Sequence, residues 1–212
     1  MPDDGPRSMK LFWSSRSPYV RQVMIAAHEK GLAQNLALIP TTVAMAAPND
    51  QVMAYNPLNK IPTLVLASGE TLYDSRVIID HFDAIGEGPV LTPLEDDTRR
   101  VARRQQALGM GLLDLAVLWR SERMRPSAQQ SQPLLDSFAK KLDRGLSALD
   151  DDAVQLANTA LTIGHIALGT ALSYLDFRFA EIDWRQSRPR ARVLAHMLEQ
   201  RAAFQATRLS DT

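Results

Sequence analysis

Asn56-Pro57-Leu58-Asn59-Lys60-Ile61-Pro62-Thr63-Leu64 runs a turn into a residue, a proline and then a strand, and its reading decides the fold. Proline within a sheet is confined to edges, strand starts or bends. Two geometries are open to Ile61-Pro62. A trans bond would make Pro62 a plain strand opener. A cis bond, which only an X-Pro peptide adopts at modest cost, would turn the amide and carbonyl of Ile61 outward to pair with an extended, peptide-like ligand added to the sheet edge.

Downstream, Tyr73-Asp74-Ser75 ends one strand and starts a helix. Asp74 and Ser75 are good N-cap residues, and capping alone would explain them. The same physics suits a ligand: first-turn N–H groups and the positive helix end attract a carboxylate, and a neighbouring acid attracts an ammonium. An α-amino acid head carries both charges. Upstream, Trp13-Ser14-Ser15-Arg16-Ser17-Pro18-Tyr19-Val20-Arg21 joins a strand to a helix. Ser17 before Pro18 reads as an N-cap with proline at the first helical position, while a serine hydroxyl at a helix start can also donate to an anion.

Around these three segments the chain divides in two. Lys10 to Trp13 reads as a strand, Pro18 to Lys30 as a helix stopped by Gly31, Leu36 to Ile39 as a strand, and Pro62 to Leu66 with Thr71 to Tyr73 as a hairpin. Ser75 to Ile85 is an amphipathic helix, and 41 to 55 is poorly defined. Gly86-Glu87-Gly88-Pro89 and Thr92-Pro93 mark a linker. Beyond it, 3.6-residue periodicity places helices at Asp97 to Arg123, Gln132 to Leu149, Thr162 to Phe179 and Ser187 to Gln200. The expected domains are 9–86 and 95–208, with 1–8 a disordered extension.

Composition narrows the function. The 212 residues carry 24 Lys and Arg against 24 Asp and Glu, so no net charge draws the chain to nucleic acid or an anionic membrane. The most apolar run, Ile163 to Leu175, is interrupted by Gly164, His165, Gly169, Thr170 and Ser173 and falls short of the ~20 residues of a membrane span. A cytoplasmic location is expected. There is no cysteine, which removes disulfides, thiolate metal sites and every protein thiol nucleophile. His28, His81 and His196 lack metal-site spacing, so no metal is expected.

The order and spacing of S-x-S-P-Y-V-R, N-P-L-N-K-I-P-T-L and L-Y-D-S-x-x-I, followed by T-I-G-H-I-A-L-G-x-A-L-x-Y-L-D-F-R, resembles the cytosolic glutathione transferase superfamily over about residues 9 to 205. The helical stretch looks most like small bacterial members of that group. The resemblance implies an α/β thioredoxin-like N-terminal domain and an all-α C-terminal domain that forms the electrophile pocket. It implies that Ile61, before cis Pro62, pairs by backbone with the cysteinyl part of glutathione. It also implies that Asp74 and Ser75 hold the γ-glutamyl head and that Lys60 reaches the glycyl carboxylate. Ser17 stands where some serine-type members place the hydroxyl facing the sulfur; Ser14 and Ser15 remain candidates because others place it earlier in the loop.

Two departures stand out. Asn59 replaces a usual glycine, which Asn tolerates because it accepts a left-handed backbone. His165 replaces the aspartate that closes a capping box beginning at Thr162, and that loss is expected to cost the helix about 1 kcal/mol.

Without a cysteine, members that form a mixed disulfide through their own thiol are excluded. The nucleophile must be glutathione itself. Lowering a thiol from its usual pKa of about 8.5 by ~2 units requires ~2.7 kcal/mol of preferential thiolate stabilisation, about the scale of one hydroxyl donor with a helix dipole. The expected activity is detoxifying glutathione transfer to a small hydrophobic electrophile, glutathione being a co-substrate, by a homodimer. The alternative is a catalytically weak binding or regulatory module on the same fold. Arg99, Arg100, Arg103 and Arg104 on one helix read as a solvated face or, more sharply, as partners for acids across a dimer interface. Met110, Leu113, Trp119 and Arg120 are more readily core than pocket, and none is assigned to substrate.

Overall fold

The computed structural model describes residues 9–44 and 47–211, so the expected extension over 1–8 lies outside the described residues. Four strands, β1 (Met9–Trp13), β2 (Leu36–Pro40), β3 (Thr63–Val65) and β4 (Thr71–Leu72), form one sheet in the order β2-β1-β3-β4. β1 and β2 are parallel, with Leu11 opposite Leu38. β3 runs antiparallel to β1, with Phe12 opposite Thr63, and β4 antiparallel to β3, with Leu64 opposite Leu72. Helices α1 (Pro18–Glu29) and α3 (Ser75–Ile85) pack on each other. The weakly patterned stretch before β3 holds a single turn of helix, α2 (Asp50–Met53), capped by Asn49. This is the thioredoxin-like arrangement.

Local chemistry explains these boundaries. Ser17 caps α1 by accepting the Val20 N–H, and Gly31, at φ +68°, supplies the left-handed residue that turns the chain out of the helix. Nearly the whole of α1 is buried, including Arg21 and Gln22. Just past its end, the C-cap residue Lys30 is 3% exposed and sits 3.2 Å from the Asp83 carboxylate.

The second compact unit is helical and spans Thr92–Gln205. It contains α4 (Asp96–Arg123), α5 (Gln132–Ala157), α6 (Ile163–Arg178), α7 (Trp184–Ser187) and α8 (Pro189–Glu199), with α9 (Ala202–Ala206) at its end. The residues from Ala206 onward group with the first unit instead. α6 is buried on all sides from Ile163 to Leu172, as a uniformly apolar helix requires. α5 runs eight residues past the expected stop at Leu149 because its acidic run is tied down. Asp150 and Asp151 pair with Arg190, and Asp152 pairs with Arg104. Asp150 also accepts the Ala191 N–H at 2.8 Å, capping α8, whose own N-cap residue makes no side-chain cap. The arginines of α4 are engaged within the chain as well: Arg99 with Asp96, Arg100 with Asp97 and Arg104 with Asp152.

His165 corrects the expected loss of the capping box. Thr162 caps α6 and the box is complete, with the His165 ring closing it. The Thr162 N–H donates to Nδ1 at 3.0 Å, which assigns the ring proton to Nε2, 2.9 Å from the Leu156 carbonyl. A neutral imidazole thus does the aspartate's work. Burial holds its pKa below the usual histidine value; the Leu156 carbonyl opposes this and Arg201 reinforces it. On acidification the unfolded chain takes up this proton at about pH 6.5 while the folded ring resists, so the unfolded state binds more protons and stability falls. The contribution is full above about pH 6.5 and is lost as pH drops toward the lower folded value. Urea unfolding midpoints from pH 7.5 down to about 5 should therefore decline less in His165→Asn than in wild type; equal slopes would place the acid sensitivity elsewhere.

Candidate functional site

Sheet topology brings the three sequence segments to one end of the sheet. β1 ends at Trp13, beside the start of β3, because Phe12 pairs with Thr63. The end of β4 lies beside that same start, because Leu64 pairs with Leu72. The Ser14–Ser17 loop, Ile61–Pro62 and Tyr73–Ser75 therefore share an edge, and α1 and α3 both begin there.

The loop before β3 is built by Asn56, which sequence reading passed over. Asn56 is 1% exposed. Its Nδ2 donates to the Lys60 carbonyl at 3.1 Å and to Thr63 Oγ1 at 2.9 Å, while its Oδ1 accepts the Leu58 N–H. Thr63 Oγ1 in turn donates to the Lys60 carbonyl at 2.8 Å. The Asn56-Pro57 pair, a turn signal, was the available clue to this network. Asn59 takes φ 52° and accepts the Asn49 N–H through its side chain, so its tolerance of the left-handed backbone is used. The Ile61–Pro62 bond is cis, as is Tyr73–Asp74. Among the described residues the amide and carbonyl of Ile61 have no hydrogen-bond partner. Lys60 is exposed.

At the start of α3, Asp74 is the N-cap: Oδ1 accepts the Arg76 N–H at 3.0 Å, and the Arg76 guanidinium lies 2.8 Å from Oδ2. Burial acts to raise its pKa, but the bonds from Arg76 and the Val77 amide outweigh it, and the carboxyl titrates below its usual value. It stays anionic with accepting capacity left on both oxygens. Ser75 is 1% exposed and its Oγ has no hydrogen-bond partner among the described residues. A buried hydroxyl without a partner costs free energy, so an unsatisfied Oγ at a helix N-terminus is an invitation to an anionic acceptor.

In the loop, Ser17 Oγ accepts the Val20 N–H at 3.3 Å and Ser14 Oγ accepts the Arg16 N–H at 3.3 Å. The Ser17 N–H donates to the Ser14 carbonyl at 3.2 Å. Each of these accepting hydroxyls keeps its own proton to donate.

Models of the glutathione S-transferase N-terminal and C-terminal domains match residues 16–85 and 128–197. The chain belongs to the glutathione S-transferase family. It is 31% identical over 202 residues to an uncharacterised transferase-like protein of Escherichia coli K12, YibF, covering 94% of this chain and 98% of that one. A glutathione transferase family member from Pseudomonas fluorescens Pf-5, solved with bound glutathione, is 36% identical and superposes with a TM-score of 0.92, covering 96% of this chain and all of the other. A glutathione S-transferase from Methylobacillus flagellatus, also solved with glutathione, is 34% identical with a TM-score of 0.86 over 96% of this chain and 100% of its own. Among the described residues of this family member, no cluster of His, Asp and Glu could hold a metal ion, and no helix is long and apolar enough to cross a membrane.

Proposed function

We propose that the protein is a glutathione S-transferase that binds glutathione along the β3 edge, stabilises its thiolate with a loop serine and adds it to a small hydrophobic electrophile. The buried, partnerless Ser75 Oγ carries this reading, and the free backbone of Ile61 supports it. The γ-glutamyl carboxylate is held by Ser75 and the α3 N-terminus, its ammonium by Asp74, the cysteinyl backbone by Ile61 beside Pro62, and the glycyl carboxylate by Lys60. The sulfur then faces the Ser14–Ser17 loop, where a hydroxyl and the α1 dipole favour the thiolate. With no cysteine in the chain, glutathione supplies the nucleophile. Homodimerisation belongs to the same proposal, supported by Met53, Tyr55 and Leu58, which are exposed within six residues.

Ser75→Ala separates the ligand role from a folding role. Glutathione affinity measured by calorimetry should fall by about 1.5–3 kcal/mol, as for a hydrogen bond to a charged group, while the urea midpoint of the free protein holds or rises, because the buried Oγ bonds nothing there. Asp74→Ala should weaken binding by a similar ~1.5–3 kcal/mol. Retained affinity in both variants would remove the γ-glutamyl subsite.

Titrating glutathione while following thiolate absorbance identifies the sulfur's partner. Ser17→Ala should raise the pKa of the bound thiol with affinity held within a few-fold, alongside a loss of about 1 kcal/mol of stability from the missing α1 cap. An unchanged thiol titration would transfer the role to Ser14 or Ser15. The local bonds already accepted by Ser14 and Ser17 favour one second reading, a binding module in which these hydroxyls only hold the loop; binding of glutathione without any thiolate signal would establish it.

A further inference from the structure

The chain returns from α9 to the loop that precedes α1. The Ser210 N–H donates to the Ser15 carbonyl at 3.2 Å. One residue on, Arg16 Nη2 donates to the Asp211 backbone carbonyl at 2.8 Å, and Arg16 Nε lies 3.4 Å from the Asp211 carboxylate. Ala206, Thr207 and Arg208 also line a cavity of about 120 Å³ together with Trp13, Ser14 and Ser15.

We propose that residues 206–211 are a clasp that sets the geometry of the Ser14–Ser17 loop, and that Arg16 and Ser210 are positioning residues for the hydroxyl that meets the sulfur. The chemistry of this proposal rests on the glutathione reading above; its mechanics do not. The loop's internal bonds join Ser14 to Arg16 and to Ser17. They leave the middle of the loop, the Ser15 carbonyl and the Arg16 side chain, to be fixed by the tail. The ion pair is 60% exposed on both sides and would contribute little alone. Its value lies in acting with two hydrogen bonds at consecutive loop residues, one accepted by the Ser15 carbonyl and one donated by Arg16 to the Asp211 carbonyl. A donor hydroxyl must be held within about 0.5 Å of its productive position to favour one protonation state of the sulfur.

The test compares wild type with a chain ending after Gln205 and with Ser210→Pro, which removes only the amide donor. Hydrogen exchange on the ligand-free proteins should show the Arg16 and Ser17 amides exchanging about tenfold faster in both variants, with α3 unchanged. Thiolate titration should then show a raised pKa for bound glutathione at nearly constant affinity. Unchanged loop exchange overturns the clasp, and faster exchange with an unchanged thiol pKa overturns its positioning role. Should the shortened chain fail to fold, Ser210→Pro decides the matter. A wild type that binds no glutathione would overturn the functional reading, and exchange alone would then decide the clasp.

Discussion

Lys30→Ala is expected to lower the unfolding free energy by about 3–5 kcal/mol, the range for removing one member of a buried ion pair. Lys30 and Asp83 side chains are 3% and 11% exposed and 3.2 Å apart. Each also holds the segment that follows α3 within the first unit: Lys30 Nζ donates to the Pro89 carbonyl at 3.1 Å, and Asp83 accepts the Leu91 N–H at 2.9 Å. Truncating the lysine takes a cation from a largely buried carboxylate and a donor from the Pro89 carbonyl. Gly88 aggravates this, because at φ +98° a Cβ there would stand 2.5 Å from the Glu29 carbonyl oxygen, so the segment has no room to repack around the gap. Denaturant unfolding with an unchanged m-value measures the loss. The pair Lys30→Met with Asp83→Leu should recover part of it, since apolar replacement of both charges is often close to neutral. A loss below about 1 kcal/mol in the single variant would mean that the pair behaves as a surface bridge.

The second large effect is at Gly109 in α4. Glycine within a helix normally costs about 1 kcal/mol relative to alanine, so Gly→Ala should stabilise. Gly109→Ala is expected to do the reverse, by about 3 kcal/mol, at the upper end of overpacking costs. The added Cβ would lie 2.6 Å from the Ala167 carbonyl carbon and 2.7 Å from the Leu168 nitrogen. These are backbone atoms of α6 and cannot rotate away. α4 and α6 would have to separate along the most extensive helix contact in the chain. Gly111, two residues along the same helix, has nothing within 4 Å of the added carbon; there Gly111→Ala should gain about 0.5–1 kcal/mol. Opposite signs at two glycines of one helix would be hard to obtain from propensity alone. Stabilisation at both would mean that the helices are not in backbone contact.

Much of this architecture was legible because it is written in local chemistry. Pro18 after Ser17, Gly31 after α1, Asp74 before α3 and the 3.6-residue spacing of α4, α5, α6 and α8 each act within a few residues. What could not be read acts across the chain. Nothing near Leu149 shows that Asp150 will cap a helix beginning at Pro189, so the local pattern stops α5 eight residues short. His165 was read as a missing aspartate because the pattern holds residue types, whereas the box requires only an acceptor, which a neutral Nδ1 provides. The three serines of the first loop were all visible as candidates. Their local bonds, and the tail that meets Ser15 and Arg16, follow from tertiary structure alone.

The 195-residue separation of Arg16 from Asp211 also bears on the order in which the protein is completed. A chain made from its N-terminus lets early segments fold first, and β1 to β4 with α1 and α3 are all synthesised before Thr92. The sheet can form while the helical half is still being translated. The loop of Ser14 to Ser17 cannot, because the residues that grip it leave the ribosome only after the whole helical half. The first unit is thus begun before the helical half and finished after it, and a nascent chain that has not yet reached Ala206 would carry every strand but not a completed serine loop.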